Sequence, residues 1–367
     1  MKIGILTLPF NTNYGGILQA YALQTVLECM GHEVCVIDKK QVSFPLLKAP
    51  LIYYRRIKMN MKGRKFPIFY EFKAKKEDPI VRQNTNRFIS KYIKNRSVKS
   101  YSETKDLDII VVGSDQIWRP KYFRPIRHAY LDFAKSWNVR RIAYAASFGT
   151  DKWEYKESQA RRCSSLIKLF AAVSVREDSG VALCRERFGV EAQHVLDPTL
   201  LLNREDYIRL FEASCTPDSP GNLLCYILDE MPEKTAIINK VAKERGLVPF
   251  SVKSKSDNIN DPLSERVQPP VEQWLRGFYD AEFVITDSFH ACVFSILFNK
   301  PFLAIGNIGR GMSRFTSLLS MFGLEDRLID TCQSVKYDEI NWGKVNSILQ
   351  IRRNASQKFI TESMDFV

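Results

Sequence analysis

A chain of 367 residues, 45% hydrophobic and with a formal net charge of +13, is longer than the roughly 250–300 residues that one hydrophobic core can serve, so two domains are expected. No run reaches the roughly 18 uncharged apolar residues of a spanning helix, and the opening apolar run at residues 3–8 is too short for a secretory leader, so a cytoplasmic location is expected. The eight cysteines form no C-x-x-C pair, so neither a zinc site nor a redox motif is signalled.

Short β-rich runs alternate with helical stretches, the pattern of parallel sheets with crossover helices. The first strand is predicted at residues 3–8, followed by an amphipathic helix at 18–30, stopped by Gly31, and a second strand at 33–38. The charge then concentrates. Residues 48–76 hold ten basic side chains and one acid, Glu71, a net +9 that leaves +4 for the rest of the chain. Leu51, Ile52, Tyr53, Tyr54, Phe66, Ile68, Phe69, Tyr70 and Phe72 are interleaved there. This mixture suits an anionic membrane surface, where each Lys or Arg contributes about 1 kcal/mol and apolar groups dip into the interface. It also suits nucleic acid, and a solvated loop or a helix packed on its own domain is the plainer alternative.

Further strands are predicted at 108–113, 141–146, 171–175 and 194–196. Residues 213–222, rich in Pro, Ser, Asp and Gly, read as a linker. A second set follows, with strands at 223–228, 248–252, 283–286 and 302–305 and helices at 233–245, 289–298 and 314–322. The fold class is therefore α/β, two Rossmann-like doubly wound domains facing a cleft. The first spans 1–215 with a basic-aromatic insertion at 44–76, and the second spans 220–350. A helix at 351–367 is expected to pack back on the first. Open sheets of this kind bind ligands at the C-terminal ends of their strands.

Five polar clusters fall at predicted strand ends. In Asn13-Tyr14-Gly15-Gly16 the glycines allow close approach of backbone to a ligand, and the following helix start can receive an anion. The cluster matches neither a dinucleotide fingerprint nor a P-loop. Gly113-Ser114-Asp115 with Trp118 places a carboxylate beside an aromatic platform, which fits sugar binding or a general base. An N-cap at Ser114 or Asp115 is the structural alternative. Arg176, in Ser174-Val175-Arg176-Glu177, suits a two-pronged grip on a carboxylate or phosphate, or else a surface ion pair. Ser288-Phe289-His290 opens a helix after an apolar strand. Of four histidines, His290 has the context best suited to proton exchange near neutral pH. The glycine-rich loop at 306–314 carries Arg310 and Arg314 and reads as an anion site.

Together with Asp197-Pro198-Thr199 and Lys300-Pro301-Phe302, these clusters occur in an order that resembles the polysaccharide pyruvyltransferase family, over roughly 290 of the 367 residues. The resemblance implies a fold similar to GT-B glycosyltransferases, with the acceptor on the N-terminal side and the donor on the C-terminal side. It implies phosphoenolpyruvate as co-substrate with no further cofactor and no metal. The acceptor it implies is a sugar, often in a glycan or lipid-linked precursor, that receives a pyruvate ketal across two hydroxyls. Arg176 and His290 match the positions at which the family holds the donor. One departure is Ser288, where some members carry arginine, so Arg310 and Arg314 are expected to supply donor contacts.

On this reading His290 is the candidate acid or phosphate-neutralising group, Asp115 the acceptor base and Arg176 the donor clamp. Asn13, Tyr14, Gly15, Gly16, Ser114, Trp118, Ser288, Arg310 and Arg314 are expected to line the substrate site. The insertion at 48–76 would bring the protein to a polyprenyl-diphosphate-linked acceptor at the inner face of the cell membrane, as part of capsule or other surface polysaccharide synthesis. Nucleic acid is not an expected partner. The rival readings are a GT-B glycosyltransferase using a nucleotide sugar and, from another class, a non-catalytic nucleic-acid or membrane binder.

Overall fold

The computed structural model describes residues 1–39, 49–62, 67–256, 258–306, 311–330, 335 and 338–365. Its strands are β1 (Lys2–Leu6), β2 (Glu33–Lys39), β3 (Asn95–Val98), β4 (Ile109–Val112), β5 (Arg140–Ala146), β6 (Ala172–Val175), β7 (Gln193–His194), β8 (Leu223–Tyr226), β9 (Pro249–Phe250), β10 (Phe283–Thr286), β11 (Phe302–Ile305) and β12 (Leu328–Ile329). They form a seven-stranded sheet in the order β3-β2-β1-β4-β5-β6-β7 and a five-stranded sheet in the order β12-β11-β10-β8-β9. All pairings are parallel. Central strands such as Ile109–Val112 and Phe302–Ile305 are buried at every position. Helices cover both faces of such a sheet, so the strands read as continuous apolar runs.

The helices are α1 (Tyr14–Cys29), α2 (Ala49–Met61), α3 (Tyr70–Val81), α4 (Gln83–Tyr92), α5 (Glu157–Ile167), α6 (Asp178–Leu183), α7 (Arg204–Glu212), α8 (Pro232–Arg245), α9 (Leu263–Arg266), α10 (Val271–Asp280), α11 (Phe289–Leu297), α12 (Ser313–Phe322) and α13 (Trp342–Met364). The expected amphipathic helix at 18–30 differs from α1 in two ways. α1 begins at Tyr14, and it is buried nearly all round, Gln19 and Gln24 included. Both glutamines are satisfied. Gln19 donates to Thr7 Oγ1 (2.9 Å) and accepts from the Ser114 amide (3.0 Å), and Gln24 donates to the Tyr92 carbonyl (3.1 Å). The reason is position, because α1 lies between the two sheets. One apolar cluster runs from Ile3 and Ile17 through Tyr14 to Trp274 and Phe294, and Tyr14 packs on Trp274 with ring centroids 5.5 Å apart.

Sheet order positions the cleft. In the first sheet, connections leave β1 and β4 in opposite directions, and in the second they do so at β8 and β10. Such switch points open a crevice beyond the strand ends. The loops after these four strands supply Leu8, Pro9, Asn11–Asn13, Asp115, Leu228 and Asp287–His290, and all of these line one cleft of about 440 Å³ between the sheets. Beyond it, α13 returns to the first sheet. Arg353 donates to the carbonyls of Leu200 (2.8 Å) and Leu202 (3.0 Å), Ser356 accepts from the Leu196 amide (3.0 Å), and Arg140 donates to the Ser363 carbonyl (2.6 Å). Among the described residues no helix is long and apolar enough to cross a membrane.

Candidate active site

Three strand ends of the first sheet converge on one buried ionic assembly. After β4 the chain turns sharply. Gly113 has φ +134°, and a Cβ there would lie 2.0 Å from the Tyr144 carbonyl oxygen, so no larger residue fits. Asp115 follows with φ 58°, a left-handed conformation that aspartate tolerates better than most residues. Arg176 leaves the end of β6, and Asp197 follows β7. Arg176 donates through Nη1 to Asp197 Oδ2 (2.6 Å) and through Nη2 to Asp115 Oδ1 (3.3 Å). The second oxygen of Asp197 accepts from the Thr199 amide (3.0 Å) and hydroxyl (2.7 Å).

The second sheet closes this assembly with β10 and α11. His290 Nε2 lies 3.6 Å from Asp197 Oδ2, beyond hydrogen-bonding length but within ion-pair range. Gly15, in the first turn of α1, lies directly against this ring, and a Cβ added there would be 2.0 Å from His290 Nδ1. A second close approach across the cleft joins Gly311 to Gly149, where a Cβ on Gly311 would fall 1.8 Å from the Gly149 carbonyl oxygen. The Tyr14 hydroxyl donates to the Pro269 carbonyl (2.8 Å), and Gln268 donates to the Thr12 carbonyl (3.2 Å).

Electrostatics sort these groups. Burial alone would push the Asp115 carboxyl up, but Arg176, His290 and Arg314 together hold it below the usual carboxylate range. The same contest holds Asp197 well below that range, with His290 and Arg176 outweighing burial. Burial works against the charge on Arg176, yet Asp197 and Asp115 raise its proton affinity above the ordinary arginine value. Arg314 goes the other way, pushed down to about 10 first by burial and then by the charge of Arg176. Both guanidiniums face the Phe289 ring, Arg176 at 4.5 Å and Arg314 at 5.4 Å from its centroid.

The residues singled out by sequence separate into groups. Asn13, Asp115, Ser288, His290 and Arg314 line the cleft, joined by Lys253, Gln268, Asp287 and Tyr122. Asn13 and Ser288 begin α1 and α11 without a side-chain capping bond, so their side chains are not spent on the helix starts. Arg176 lies behind the cleft lining, its side chain 1% exposed and held between Asp115 and Asp197. Trp118 is fully buried, stacked on Tyr130 at 5.1 Å with its indole N–H donating to the Ala129 carbonyl (3.1 Å), and does not line the cleft. The exposed aromatic is Tyr122, four residues on and 40% accessible. Ser114, Tyr14, Gly15 and Gly16 shape the walls from behind, and Arg310 lies outside the described residues. Among those residues no group of three or more His, Cys, Asp and Glu could hold a metal ion.

Two parallel sheets facing one cleft at paired switch points define a two-lobed α/β protein of the GT-B arrangement. Solved structures share it. A UDP-GlcNAc 2-epimerase from Neisseria meningitidis, solved bound to UDP-GlcNAc, aligns over 99% of each chain with a TM-score of 0.52 at 10% identity. UGT89C1 from Arabidopsis thaliana, complexed with UDP-L-rhamnose, aligns over 98% of this chain and 97% of its own with a TM-score of 0.50 at 11% identity. At such identities the likeness is one of fold alone. No curated protein matches the chain. The family model for polysaccharide pyruvyl transferase matches residues 13–309, and the chain belongs to that family of transferase enzymes.

Proposed function

We propose that the protein transfers pyruvate from phosphoenolpyruvate to a sugar diol, forming a cyclic ketal during synthesis of a surface polysaccharide. The observation that carries this reading is the make-up of the cleft, where His290, Arg314 and Lys253 meet ionised Asp115 beside the starts of α1 and α11. A donor carrying both a carboxylate and a phosphate suits guanidinium, ammonium and helix-start amides together. In the proposed reaction the methylene carbon takes one proton and becomes methyl, and the first hydroxyl oxygen bonds to the neighbouring carbon. The C–O bond to phosphate then breaks with its electrons on phosphate, and the second hydroxyl closes the ring. Of the two hydroxyl protons released, one offsets the proton taken by the methylene carbon and the other leaves with phosphate. His290 is the candidate acid or phosphate-neutralising group, and Asp115 the candidate acceptor of a hydroxyl proton. Arg314, one of the arginines expected from sequence to contact the donor, is the candidate donor contact in the cleft. Phosphoenolpyruvate at 100 times its Kd should stabilise the fold by about 2.7 kcal/mol, and mass spectrometry should show pyruvyl addition to a competent acceptor. Stabilisation by nucleotide sugars and none by phosphoenolpyruvate would instead establish the glycosyltransferase reading.

A second observation bears on where the acceptor is met. α2 buries no residue. Tyr54, Ile57 and Met61 are 62%, 43% and 83% exposed and fall on one helical stripe at spacings of three and four. Arg55, Lys58 and Lys62 lie exposed on the adjoining stripe. Within the insertion the single acid, Glu71, is paired with Arg56. The following α3 is tied to the second lobe near the cleft, with Lys73 donating to the Ile259 carbonyl (2.7 Å) and Glu77 paired with Arg266. An apolar stripe flanked by a basic one suits an anionic bilayer surface, and we propose that α2 rests there. Residues 44–48 and 63–66 of the expected segment lie outside the described residues. Vesicles with a third phosphatidylglycerol should sediment the protein, and Tyr54→Ser with Ile57→Ser and Met61→Ser should release it. Equal sedimentation of both proteins would defeat the assignment.

A further inference from the structure

The cleft does not end at Tyr122. Leu8, Pro9 and Tyr122 also line a second cavity of about 480 Å³. That cavity shares Lys121, Arg124 and Pro125 with a third, of about 620 Å³. The three form one track along the C-terminal strand ends of the first lobe. Its middle section is aromatic, with Phe10, Tyr101, Tyr122 and Phe123 in the walls. Its far section is cationic, lined by Lys121, Arg124, Arg127, Lys156 and Arg162 against one carboxylate, Glu154.

That carboxylate is already committed. Arg119 grips Glu154 with two parallel hydrogen bonds of 3.0 and 2.8 Å and donates a third, of 3.0 Å, to Gln116 in the wall of the catalytic cleft. Through Arg119, which is itself buried, this link joins a residue of the cleft wall to a residue of the far cavity. It also cancels the negative charge of the far cavity. Arg127 pairs with Asp132 at 2.7 Å. Lys121, Arg124, Lys156 and Arg162 have no such ion pair among the described residues, and each is exposed at the cavity rim. Four like charges around one concavity repel one another, and an anion seated between them relieves that repulsion.

We infer that the track is the acceptor site of the proposed transfer and that the acceptor is an oligosaccharide carrying anionic groups. Its reacting diol lies at His290 and Asp115, neutral sugar faces pass Tyr122, and a carboxylate or phosphate some sugar units away sits among Lys121, Arg124, Lys156 and Arg162. The inference rests on the transferase reading of the cleft and adds the charge and length of the substrate. Two sources supply such an anion, the uronic acid of a repeat unit and the diphosphate of a lipid-linked chain.

Calorimetric titration of the full chain at low salt separates these. The probes are an oligogalacturonate, a neutral malto-oligosaccharide of equal length, and inorganic pyrophosphate. At least one anionic probe should bind about tenfold or more tighter than the neutral oligosaccharide, and Arg124→Ser with Arg162→Ser should abolish that preference without lowering Tm. Preference for the oligogalacturonate assigns an acidic repeat unit, and preference for pyrophosphate assigns a diphosphate-linked acceptor. Equal binding of charged and neutral probes, or an unchanged preference in the double variant, would overturn the inference. None of these titrations contains phosphoenolpyruvate. Failure of the donor reading therefore shows separately, as absence of a Tm shift with phosphoenolpyruvate.

Discussion

Arg176 and Arg314 share the face-on company of one ring, Phe289, and live under opposite rules. Arg176 is enclosed and compensated, its two prongs filled by Asp197 and Asp115, and its proton is held more tightly than usual. Arg314 lines the cleft and holds its proton less tightly, at about 10, because burial and the charge of Arg176 both oppose it. A ligand anion would gain little from an arginine whose charge the protein has already neutralised. It gains most from one whose charge is still opposed by its surroundings. On the proposed reading the inner arginine serves the scaffold of the site, and the outer one its binding surface.

The largest expected effect comes from breaking the inner member. Arg176→Ala would leave Asp115 and Asp197 buried without their shared counter-charge, and losing one partner of a buried pair costs about 3–5 kcal/mol. Urea denaturation should show that loss. A variant of unchanged stability whose KM for phosphoenolpyruvate alone rises would return Arg176 to the donor site and erase the contrast. His290→Ala comes next. Loss of a positioned proton donor costs about 10²–10⁴ in turnover, with a smaller loss of stability than Arg176→Ala because Arg176 still pairs with Asp197. Near-normal kcat would remove His290 from the chemistry. Arg314→Ala should raise the KM for phosphoenolpyruvate about 10–100-fold, the equivalent of about 1.5–3 kcal/mol for a charge-assisted hydrogen bond. A KM change confined to the acceptor would move Arg314 to the other substrate.

Much of this contrast was invisible in sequence. The two sheets were legible because buried parallel strands read as apolar runs, and Phe283–Thr286 and Phe302–Ile305 fall where periodicity puts them. The strand Asn95–Val98 was missed because its composition is polar, at one edge of the sheet. His290 and Arg314 were picked out by their place after strands. Asp197, in a Pro-Thr turn after a two-residue strand, drew notice only through the family likeness. An arginine at a strand end looks the same in sequence whether its partner is a ligand or an aspartate two loops away, so the pairing of Arg176 with Asp197 and Asp115 could not be read from sequence. Trp118 and Tyr122 lie on one short stretch, and only the three-dimensional turn decides which ring faces inward.

The smallest effect tests the same contrast one residue further in. Glu177 is fully buried. Its Oε1 accepts from the Phe148 amide (2.7 Å), the Gly149 amide (3.0 Å) and the Ser147 hydroxyl (3.0 Å), while Oε2 has no hydrogen-bond partner among the described residues. Burial pushes this carboxyl above its usual range, only partly offset by Arg176 and these donors, whereas Asp197 is held below it. The two therefore contribute opposite slopes to stability. The share of Asp197 is present above its unfolded value of about 3.9 and is lost as pH falls through the lower folded value. The share of Glu177 is present below about 4.3 and is lost as pH rises through the higher folded value. Glu177→Gln keeps the acceptor oxygen but places an unpartnered amide in the core, a pH-independent cost of about 1–3 kcal/mol. It also removes the Glu177 slope, which cannot exceed about 1.4 kcal/mol per pH unit. Measured by denaturation from pH 4.5 to 8, the variant should therefore gain on the wild type as pH rises. A stability difference constant across that range would mean that Glu177 titrates in the folded protein as it does in the unfolded chain, and that the compensation around Arg176 extends to it as well.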